Sequence, residues 1–584
     1  MKKALVLRLI CAVAVLAVLA SCSNGGENSA SDSSALSSGS VSGEAKINGT
    51  VTLPYTHNDS LNPYVAKSKN NQELGLLLYD SLFVSDNSFN ILPGLASEIK
   101  KDTRKCTVTL KDALFTDGTA LTADDVVYSV ERIKEQPECK YFEGVSVIRQ
   151  CYAESSKKVV FEFSRECEFF EYCLMFPIIK TGTASLKDVD NKELPPIGSG
   201  RYVFEKSASS ALLRANESWY GGNVSVKEIV LSALPDSAAV DHALQTGTVD
   251  IYYSDLSDNT MPTLLSGKSC SVSRQNLVYL GVGKKSLLSG DKYLRYAVSA
   301  AVDRTDIVKN AYFGQAEAAK GPYHSSLAAV QGQQILQVTA DKTSAAENLA
   351  LGGYSLGENG KYSKNGKAVS LTVVYNSENT TREQAAKLIC DQLSRAGIDC
   401  TVKACGYAEY VSAIASGWCD LYIAEMKLNR MLDLYPVLTA GGNISFSQSE
   451  LEYTEPEAST GDSSSADQTK GSASDSSSGG ASHSDDAASG DGTTESTSGQ
   501  PSGEPDADIS GAAISENHKT ALQAAYEYYC KNGSLSEMLS CFNSEIPFIP
   551  LCHHNAVELY SPRINGLTPT WYDPFYGIEN ASVE

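Results

Sequence analysis

The chain has 584 residues, with 70 acidic side chains against 48 from lysine and arginine, and its formal net charge at pH 7 is -22. This acidic balance leaves no basic face of the kind that binds nucleic acid, and it favours cationic ligands only weakly, by long-range steering. The length exceeds the roughly 250 to 300 residues at which a single hydrophobic core stops growing, so we expect more than one lobe.

Residues 1–22 have the form of a secretory signal. A basic start precedes an apolar run over residues 9–20, which is shorter than the about 20 apolar residues that a membrane span needs. The run ends in Leu-Ala-Ser-Cys at residues 19–22, which resembles the bacterial lipobox, whose cysteine is acylated. We expect Cys22 to carry the lipid and to anchor the protein on the outer face of the cytoplasmic membrane, because two or more acyl chains hold stably where one does not.

Two segments have the composition of flexible chain. Residues 23–45 are mostly Ser, Gly, Asn, Ala and acidic residues, which predicts a stalk. Residues 450–511 are rich in Ser, Gly and Asp and hold fourteen acidic residues against the single Lys470, which predicts a disordered acidic insert. We expect this insert to leave the surface away from any ligand site, since a charged tract there would compete with the ligand.

Thirteen of the fifteen cysteines remain once the signal and the lipidated position are set aside. They are scattered without any CxxC or other short metal-ligand pairing, so we interpret most of them as small apolar core residues. Whether any of them pair is left open by the sequence.

The first ordered segments alternate between strand and helix patterns. Residues 47–55 predict a strand and residues 73–82 a helix. Residues 106–110 alternate in polarity as a half-buried strand does, and Gly118 follows Asp117 in a predicted chain reversal. This alternation of element types favours an α/β architecture.

A helix is predicted to begin at about Ala123. Thr122 and Asp125 have the spacing of a capping box, in which the first polar side chain bonds the third helical N–H and the third side chain bonds back. The apolar positions that follow share one helical face, namely Val126, Val130 and Ile133.

Several segments, taken together, resemble signatures of the family 5 extracellular solute-binding proteins, the peptide-binding components of ABC importers. In chain order these segments are residues 77–83 (LLYDSLF), 93–96 (PGLA), 115–129 (FTDGTALTADDVVYS), 196–202 (PIGSGRY), 216–222 (NESWYGG), 244–251 (LQTGTVDI) and 294–304 (LRYAVSAAVDR). The resemblance covers residues 46–448 and 513–578. One departure is Gly283, where the family usually has asparagine.

The resemblance implies a two-lobed, periplasmic-binding-protein-like α/β fold of class II type with the extra subdomain of the peptide-binding group. Lobe I would comprise residues 46–75, 195–283 and 546–584, its extra subdomain 76–194, and lobe II 284–545 with the insert inside it. It also implies capture of a small ligand, an oligopeptide first of all, in the interlobe cleft and delivery to ABC permease subunits. Neither catalysis nor a cofactor is expected.

The ligand site is where the resemblance is weakest. Peptide-binding relatives hold the ligand's amine with an aspartate in a W-x-x-D-Y-x-D-P motif, which is absent here as written. Asn429 falls near that aspartate, and we expect Glu425 or Asp433 to hold a cationic group and Lys427 an anionic one, with pairing among themselves or to solvent as the alternative. The remaining candidates are side chains at the predicted cleft edge or aromatic positions near it, namely Tyr55, Asn58, Tyr407, Tyr410 and Tyr422.

Two other classes of function have some support in short motifs. Residues 97–100, 180–182 and 257–259 spell the three penicillin-binding-enzyme motifs, but in the wrong order. Cys552, His553 and His554 could suggest a metal, although neighbours on a strand point to opposite faces and chelate poorly. Some relatives carry a nickel chelate or haem, so a binding protein for such a ligand is the alternative to a peptide.

Overall fold

A computed structural model describes residues 49–166, 169–184, 194–207, 210–234, 237–256, 267–428, 432, 434 and 534–584. Its strands are β1 (Val51–Tyr55), β2 (Phe83–Ser85), β3 (Ile91–Pro93), β4 (Ala96–Asp102), β5 (Lys105–Leu110), β6 (Ile148–Ser155), β7 (Lys158–Phe163), β8 (Tyr202–Lys206), β9 (Ala211–Ala215), β10 (Glu228–Ala233), β11 (Ile251–Ser254), β12 (Lys268–Val272), β13 (Asn276–Val282), β14 (Ala316–Ala318), β15 (Ser355–Leu356), β16 (Tyr362–Lys364), β17 (Lys367–Ala368), β18 (Ser370–Asn376), β19 (Asp399–Cys405), β20 (Leu421–Lys427), β21 (Ile549–His554), β22 (Ala556–Tyr560), β23 (Ile564–Asn565) and β24 (Ser582–Val583).

The helices are α1 (Lys69–Leu78), α2 (Ala123–Lys134), α3 (Phe142–Ser146), α4 (Phe170–Cys173), α5 (Ser237–Gln245), α6 (Leu287–Gly290), α7 (Lys292–Ala301), α8 (Arg304–Asn310), α9 (Lys342–Leu351), α10 (Thr380–Arg395), α11 (Tyr407–Ser416) and α12 (Leu535–Glu545). Two short 3-10 turns cover Ala328–Val330 and Ile578–Asn580. Among these described helices, none has the length and apolarity required to cross a bilayer.

The described residues form seven sheets, of which four position the site; the other three are the small sheets β15-β16-β17, β2-β3 and β23-β24. Two of the four are four-stranded, in the orders β1-β10-β9-β8 and β4-β5-β7-β6. A six-stranded sheet has the order β14-β21-β13-β20-β18-β19, with β18 parallel to both β19 and β20. A three-stranded sheet, β11-β22-β12, is connected to the six-stranded sheet twice, because the chain passes from β12 into β13 and from β21 into β22.

Two large hydrophobic cores lie on opposite faces of the six-stranded sheet. All seven residues of β13 are buried. Val278 and Leu280 pack into the core shared with α7, α9 and α10, whereas Leu277 and Tyr279 pack into the core that contains the other sheets. The period of two along a strand sends alternate side chains to these two cores, which explains why β13 is apolar throughout.

The segment around Gly118 confirms the local predictions. Gly118 has φ +82°, and its N–H bonds to the carbonyl of Phe115, so the chain reverses there. Helix α2 begins at Ala123, and the Asp125 carboxylate accepts from the Thr122 N–H at 2.9 Å, as a capping box requires. The apolar face of α2 is buried as predicted, at Val126, Val130 and Ile133.

The first predicted strand and helix are found, but with different bounds. Strand β1 covers Val51–Tyr55, the second half of the predicted 47–55, and is buried at all five positions. Helix α1 begins and ends four residues before the predicted range of 73–82. It starts after Ser68, whose side chain accepts from the Asn71 N–H, and it stops where Tyr79 becomes extended.

Two glycines explain the end of α1. A Cβ atom on Gly198 would lie 1.8 Å from the carbonyl oxygen of Leu78, and one on Gly200 would lie 2.5 Å from that of Leu77. The Gly200 N–H bonds to the Leu78 carbonyl at 3.0 Å and so satisfies a carbonyl that the helix itself leaves unpaired. The Gly-Ser-Gly segment at 198–200 is therefore required for this close approach.

One cysteine pair among the described residues is a disulfide. Cys390 of α10 is bonded to Cys400 of β19, with their Cα atoms 4.9 Å apart. Most other described cysteines are buried, in agreement with their interpretation as core residues.

Loss of this disulfide should lower the free energy of unfolding by about 3 kcal/mol, because it closes a loop of ten residues in the unfolded chain. The measurement is urea denaturation of the wild type with and without reductant. A Cys390→Ser/Cys400→Ser variant is the matched control and should show the lower midpoint in both conditions. A wild-type midpoint that does not change on reduction would contradict the expectation.

Candidate functional site

A cluster of charged side chains lies where the six-stranded sheet meets the three-stranded sheet. The carboxyl end of β20 is next to the start of β13, with Lys427 opposite Asn276, and β13 is next to the end of β21, with Leu277 opposite His553. Both connections between the two sheets leave from this edge. A ligand bound at these strand ends would contact both the six-stranded and the three-stranded sheet, so we take this end of the sheet as the candidate site.

Glu425 of β20 is at the centre of the cluster. Its carboxylate accepts from the amide of Asn276 and lies 3.2 Å from Nδ1 of His554 and 3.6 Å from Nη2 of Arg382. Burial by itself raises the pKa of Glu425, but the hydrogen bond to His554 and the charges of His554, Arg382 and Arg274 outweigh it and lower that pKa to about 2. Glu425 is therefore ionised at neutral pH, and its carboxylate already has His554 and Arg382 as partners within the protein.

Lys427 is more exposed to solvent than Glu425. It is exposed, and its Nζ lies 3.5 Å from Oδ2 of Asp255. Asp255 also has Nη2 of Arg274 at 3.8 Å. Lys427 and Glu425 thus pair neither with each other nor with solvent alone, because each contacts a charged residue outside the 422–433 segment.

The tyrosine candidates divide into buried and accessible positions. Tyr55 is 4% exposed and packs against Phe204, with ring centroids 6.2 Å apart. Tyr410 donates its hydroxyl to the carbonyl of Ile423 at 2.6 Å, and Tyr422 is buried. By contrast, Tyr407 at the start of α11 is partly exposed.

The remaining predicted positions are not all described. Asn58 is exposed in the turn after β1. Asn429, Asp433 and the lipidation candidate Cys22 lie outside the described residues, as does the acidic insert.

Sequence reasoning missed Arg382, Asn276 and Asp255, and it considered His554 only as a metal ligand. Arg382 had a usable signal, because it follows the cap residue Asn379 by three and so lies in the first turn of α10, where the helix dipole disfavours a cation. Its side chain is only 13% exposed, next to Glu425. A positive charge in that position indicates a buried acidic partner.

The three residues of the metal candidate point in different directions. Cys552 packs into the core with α7 and α10. The ring of His553 lies 5.4 Å from that of His324, and the ring of His554 lies 5.0 Å from that of Tyr312. Over the described ranges, no three His, Cys, Asp or Glu side chains are grouped so that they could hold a metal ion.

The buried histidine pair is neutral. Burial lowers the pKa of His553 to about 3, and burial also lowers the pKa of His324 against the opposing effect of Glu317. The Ser326 N–H donates to Nδ1 of His324 at 3.2 Å, so that the proton of this ring is on Nε2, which lies 3.1 Å from Glu317. His324 also packs against Phe89, with ring centroids 5.2 Å apart.

The penicillin-binding-enzyme motifs form structural contacts where they are described. The Ser97 hydroxyl donates to the carbonyl of Thr109 at 3.0 Å. Lys180 pairs with Asp117, and the Thr181 hydroxyl donates to Asp125 at 2.8 Å, so these groups hold the turn and cap of α2. The third motif, 257–259, lies outside the described residues.

Comparison with known proteins identifies the family. Residues 90–439, more than half of the chain, match the model of the bacterial extracellular solute-binding proteins, family 5. A curated relative, the oligopeptide-binding protein AppA of Bacillus subtilis, is 25% identical over 414 residues, which are 67% of this chain and 75% of that protein.

Solved structures agree on the fold. An ABC transporter substrate-binding protein from Sinorhizobium meliloti superposes with a TM-score of 0.64 at 16% identity, over 92% of this chain and 99% of that chain. A nickel ABC transporter protein from Bacillus halodurans gives 0.63 at 17% identity, over 91% and 99%. The two-lobed α/β fold predicted from the sequence is thus confirmed, and the chain belongs to the family 5 extracellular solute-binding proteins of ABC importers.

Proposed function

We propose that this protein captures an oligopeptide at the junction between its two lobes and delivers it to an ABC permease. The observation that carries the proposal is the presence of both charge signs at one sheet edge, with Arg382 and Lys427 beside Glu425 and Asp255. A peptide is a zwitterion, so its two ends can each find an opposite charge there. The similarity to an oligopeptide-binding protein supports this ligand class.

The candidate residues would have different roles. Lys427 would hold the peptide carboxylate, because it is exposed and its contact to Asp255, at 3.5 Å, is long. Glu425, held by its own chain, and Asp433 would attract the ammonium end, with Asn429 beside them. The accessible Tyr407 and Asn58 would contact the ligand directly, while the buried Tyr55, Tyr410 and Tyr422 would support the walls.

Capture needs no covalent step. A ligand that contacts both lobes only when they are closed stabilises the closed state by its differential affinity. Acylation of Cys22 and the stalk over residues 23–45 would keep the protein at the outer membrane face, beside the permease.

The role of Lys427 can be tested with matched peptides that end in a free carboxylate or in an amide. We expect the wild type to bind the free acid about tenfold more tightly, because only the acid can pair with the lysine. Lys427→Met should remove this preference and leave amide binding unchanged. Isothermal titration calorimetry gives both affinities.

Lys403 supplies the control variant. It is an exposed lysine on β19 that pairs with Glu409, away from Lys427 in the sheet order. Lys403→Met should retain the preference for the free acid. A Lys427→Met variant that keeps the preference would refute the assigned role, while absence of binding by any peptide would refute the peptide proposal itself.

A second candidate ligand is a metal chelate or haem. It is favoured by the rings of His324 and His553, which lie 5.4 Å apart beside Phe89. Native mass spectrometry of the purified protein distinguishes the ligands by mass. Peptide masses support the first proposal, whereas a nickel- or haem-dependent thermal shift without any peptide response supports the second.

A further inference from the structure

A separate cavity of about 210 Å³ lies away from the candidate site, in the part of the chain that contains α1 and β8. None of Glu425, Lys427 or Arg382 lines it. Its wall comes from four of the segments that carry the family resemblance, residues 77–83, 93–96, 196–202 and 216–222, together with the segment 572–579.

The cavity wall is strongly aromatic. Its rings belong to Tyr79, Trp219, Tyr220, Tyr572 and Tyr576. The Trp219 and Tyr220 rings are 5.7 Å apart at 56°. The indole of Trp219 lies flat on the backbone of Gly221, where a Cβ atom would come within 2.4 Å of the ring, so this residue must be glycine to keep the indole in place.

One carboxylate of the wall, that of Asp80, forms no close ion pair with the described residues, although the charge of Arg201 acts on it. Oδ2 of Asp80 accepts from the indole N–H of Trp219 at 2.8 Å, and Tyr220 directs its hydroxyl at the same carboxylate. The nearby Arg201 is directed elsewhere, to Asp573 at 2.6 Å and Glu579 at 3.0 Å. Among the described residues, no basic nitrogen lies within 4.0 Å of Asp80. Burial accordingly raises the pKa of Asp80 to about 6.

The ring of Tyr220 already attracts a cation. Nζ of Lys111 lies 5.3 Å from the Tyr220 ring centroid, within the range of a cation–π contact. Aromatic faces combined with one carboxylate are the usual means of recognising organic ammonium ions. The volume suits a small molecule, since a cavity of about 150 Å³ accommodates benzene.

We propose that this cavity is a second binding site, for a small organic ammonium ion that pairs with Asp80 and lies against Trp219 and Tyr220. The site is independent of the peptide proposal, because it shares no residue with the charged cluster at the end of β20. Lys111 at its rim would compete with the ligand for the face of Tyr220.

Choline and its neutral isostere 3,3-dimethyl-1-butanol are matched probes. The protein has three tryptophans, so a Trp418→Phe/Trp571→Phe background leaves Trp219 as the only indole reporter. In this background we expect choline to give a saturable change in fluorescence and the isostere to give none. Asp80→Asn should weaken choline binding by more than about thirtyfold.

A second variant keeps the test decisive if Asp80→Asn fails to fold. Lys111→Met removes the competing cation and should tighten choline binding about two- to fivefold. Lys427→Met, which changes the peptide site, should leave choline affinity unchanged. Equal responses to choline and the isostere, or no saturable response to choline in the background or in Lys111→Met, would overturn the proposal.

Discussion

Arg201→Met is expected to lower the free energy of unfolding by about 3 to 5 kcal/mol at neutral pH. The guanidinium is nearly inaccessible and bonds Asp573 at 2.6 Å and Glu579 at 3.0 Å, as well as the carbonyls of Leu76 and Phe575. Without it, the buried Asp573 carboxylate and the half-buried Glu579 carboxylate would lose their cation, and leaving Asp573 buried without one is costlier than losing the ion pair itself.

The pH dependence of this loss identifies its cause. Burial raises the pKa of Asp573 even though Arg201 opposes the rise. Removing Arg201 should raise that pKa further, so acid would protonate Asp573 and reduce the deficit of the variant. We therefore expect the difference in midpoint between wild type and Arg201→Met, measured by urea denaturation, to be larger at neutral than at mildly acidic pH.

Arg214 provides a matched control for Arg201. It also contacts two carboxylates, Glu205 and Glu228, but on the surface, where solvent screens both pairs. Arg214→Met should leave the midpoint nearly unchanged. If Arg201→Met were equally mild, the buried network would not be what holds the 572–579 segment to helix α1.

Turns and helix starts were predicted correctly where they depend on residues that are close together in the sequence. The reversal at Gly118 and the start of α2 at Ala123 depend on contacts within a few residues. The end of α1 could not be obtained in this way, because the carbonyls of Leu77 and Leu78 meet Gly198 and Gly200, about 120 residues away in the chain. Tertiary contacts of this kind have no local signature.

The candidate site was less predictable, because its charges are assembled from distant elements. The segment 422–433 suggested Glu425 as a charge that holds the ligand, but its partners Arg382 and His554 come from a helix and a strand on either side of it in the sequence. Hydrophobic periodicity does not indicate such pairings. Only the unfavourable position of Arg382 at the start of α10 offered a clue.

The departure from the family at Gly283 also has a tertiary cause. A Cβ atom there would lie 1.8 Å from the carbonyl oxygen of Cys419, and the Gly283 N–H bonds to the carbonyl of Asp420 at 2.9 Å. In this chain the loop before β20 packs directly onto the end of β13. An asparagine at position 283 would displace that loop.

Glu73→Gln is expected to stabilise the protein relative to wild type, by an amount that grows with pH. Glu73 of α1 is near Glu558 of β22. The other charged side chains that act on one or both of these carboxylates are Lys69, Lys140, Asp255 and Asp573. Burial raises the pKa of Glu73 to about 7 and raises that of Glu558 well above its usual value. Neither carboxylate oxygen of Glu558 has a hydrogen-bond partner among the described residues.

The sign follows from proton linkage. The folded state holds the Glu73 proton more tightly than the unfolded state. The contribution of this proton to wild-type stability is therefore fully present below about pH 4.5 and is lost as the pH rises through about 7. Glutamine cannot ionise, so the advantage of Glu73→Gln should increase by about 3 kcal/mol between about pH 4.5 and about pH 8. Denaturation curves of both proteins across this range give the difference directly.

Comparing variant with wild type at each pH removes the contributions of other groups. His553, with its pKa lowered to about 3, changes stability in the opposite direction over part of the range, but equally in both proteins. Glu558→Gln should show a trend of the same sign, whereas Glu98→Gln, on the exposed side of β4, should show none. A difference for Glu73→Gln that is constant with pH would mean that Glu73 ionises as freely in the folded protein as in the unfolded chain.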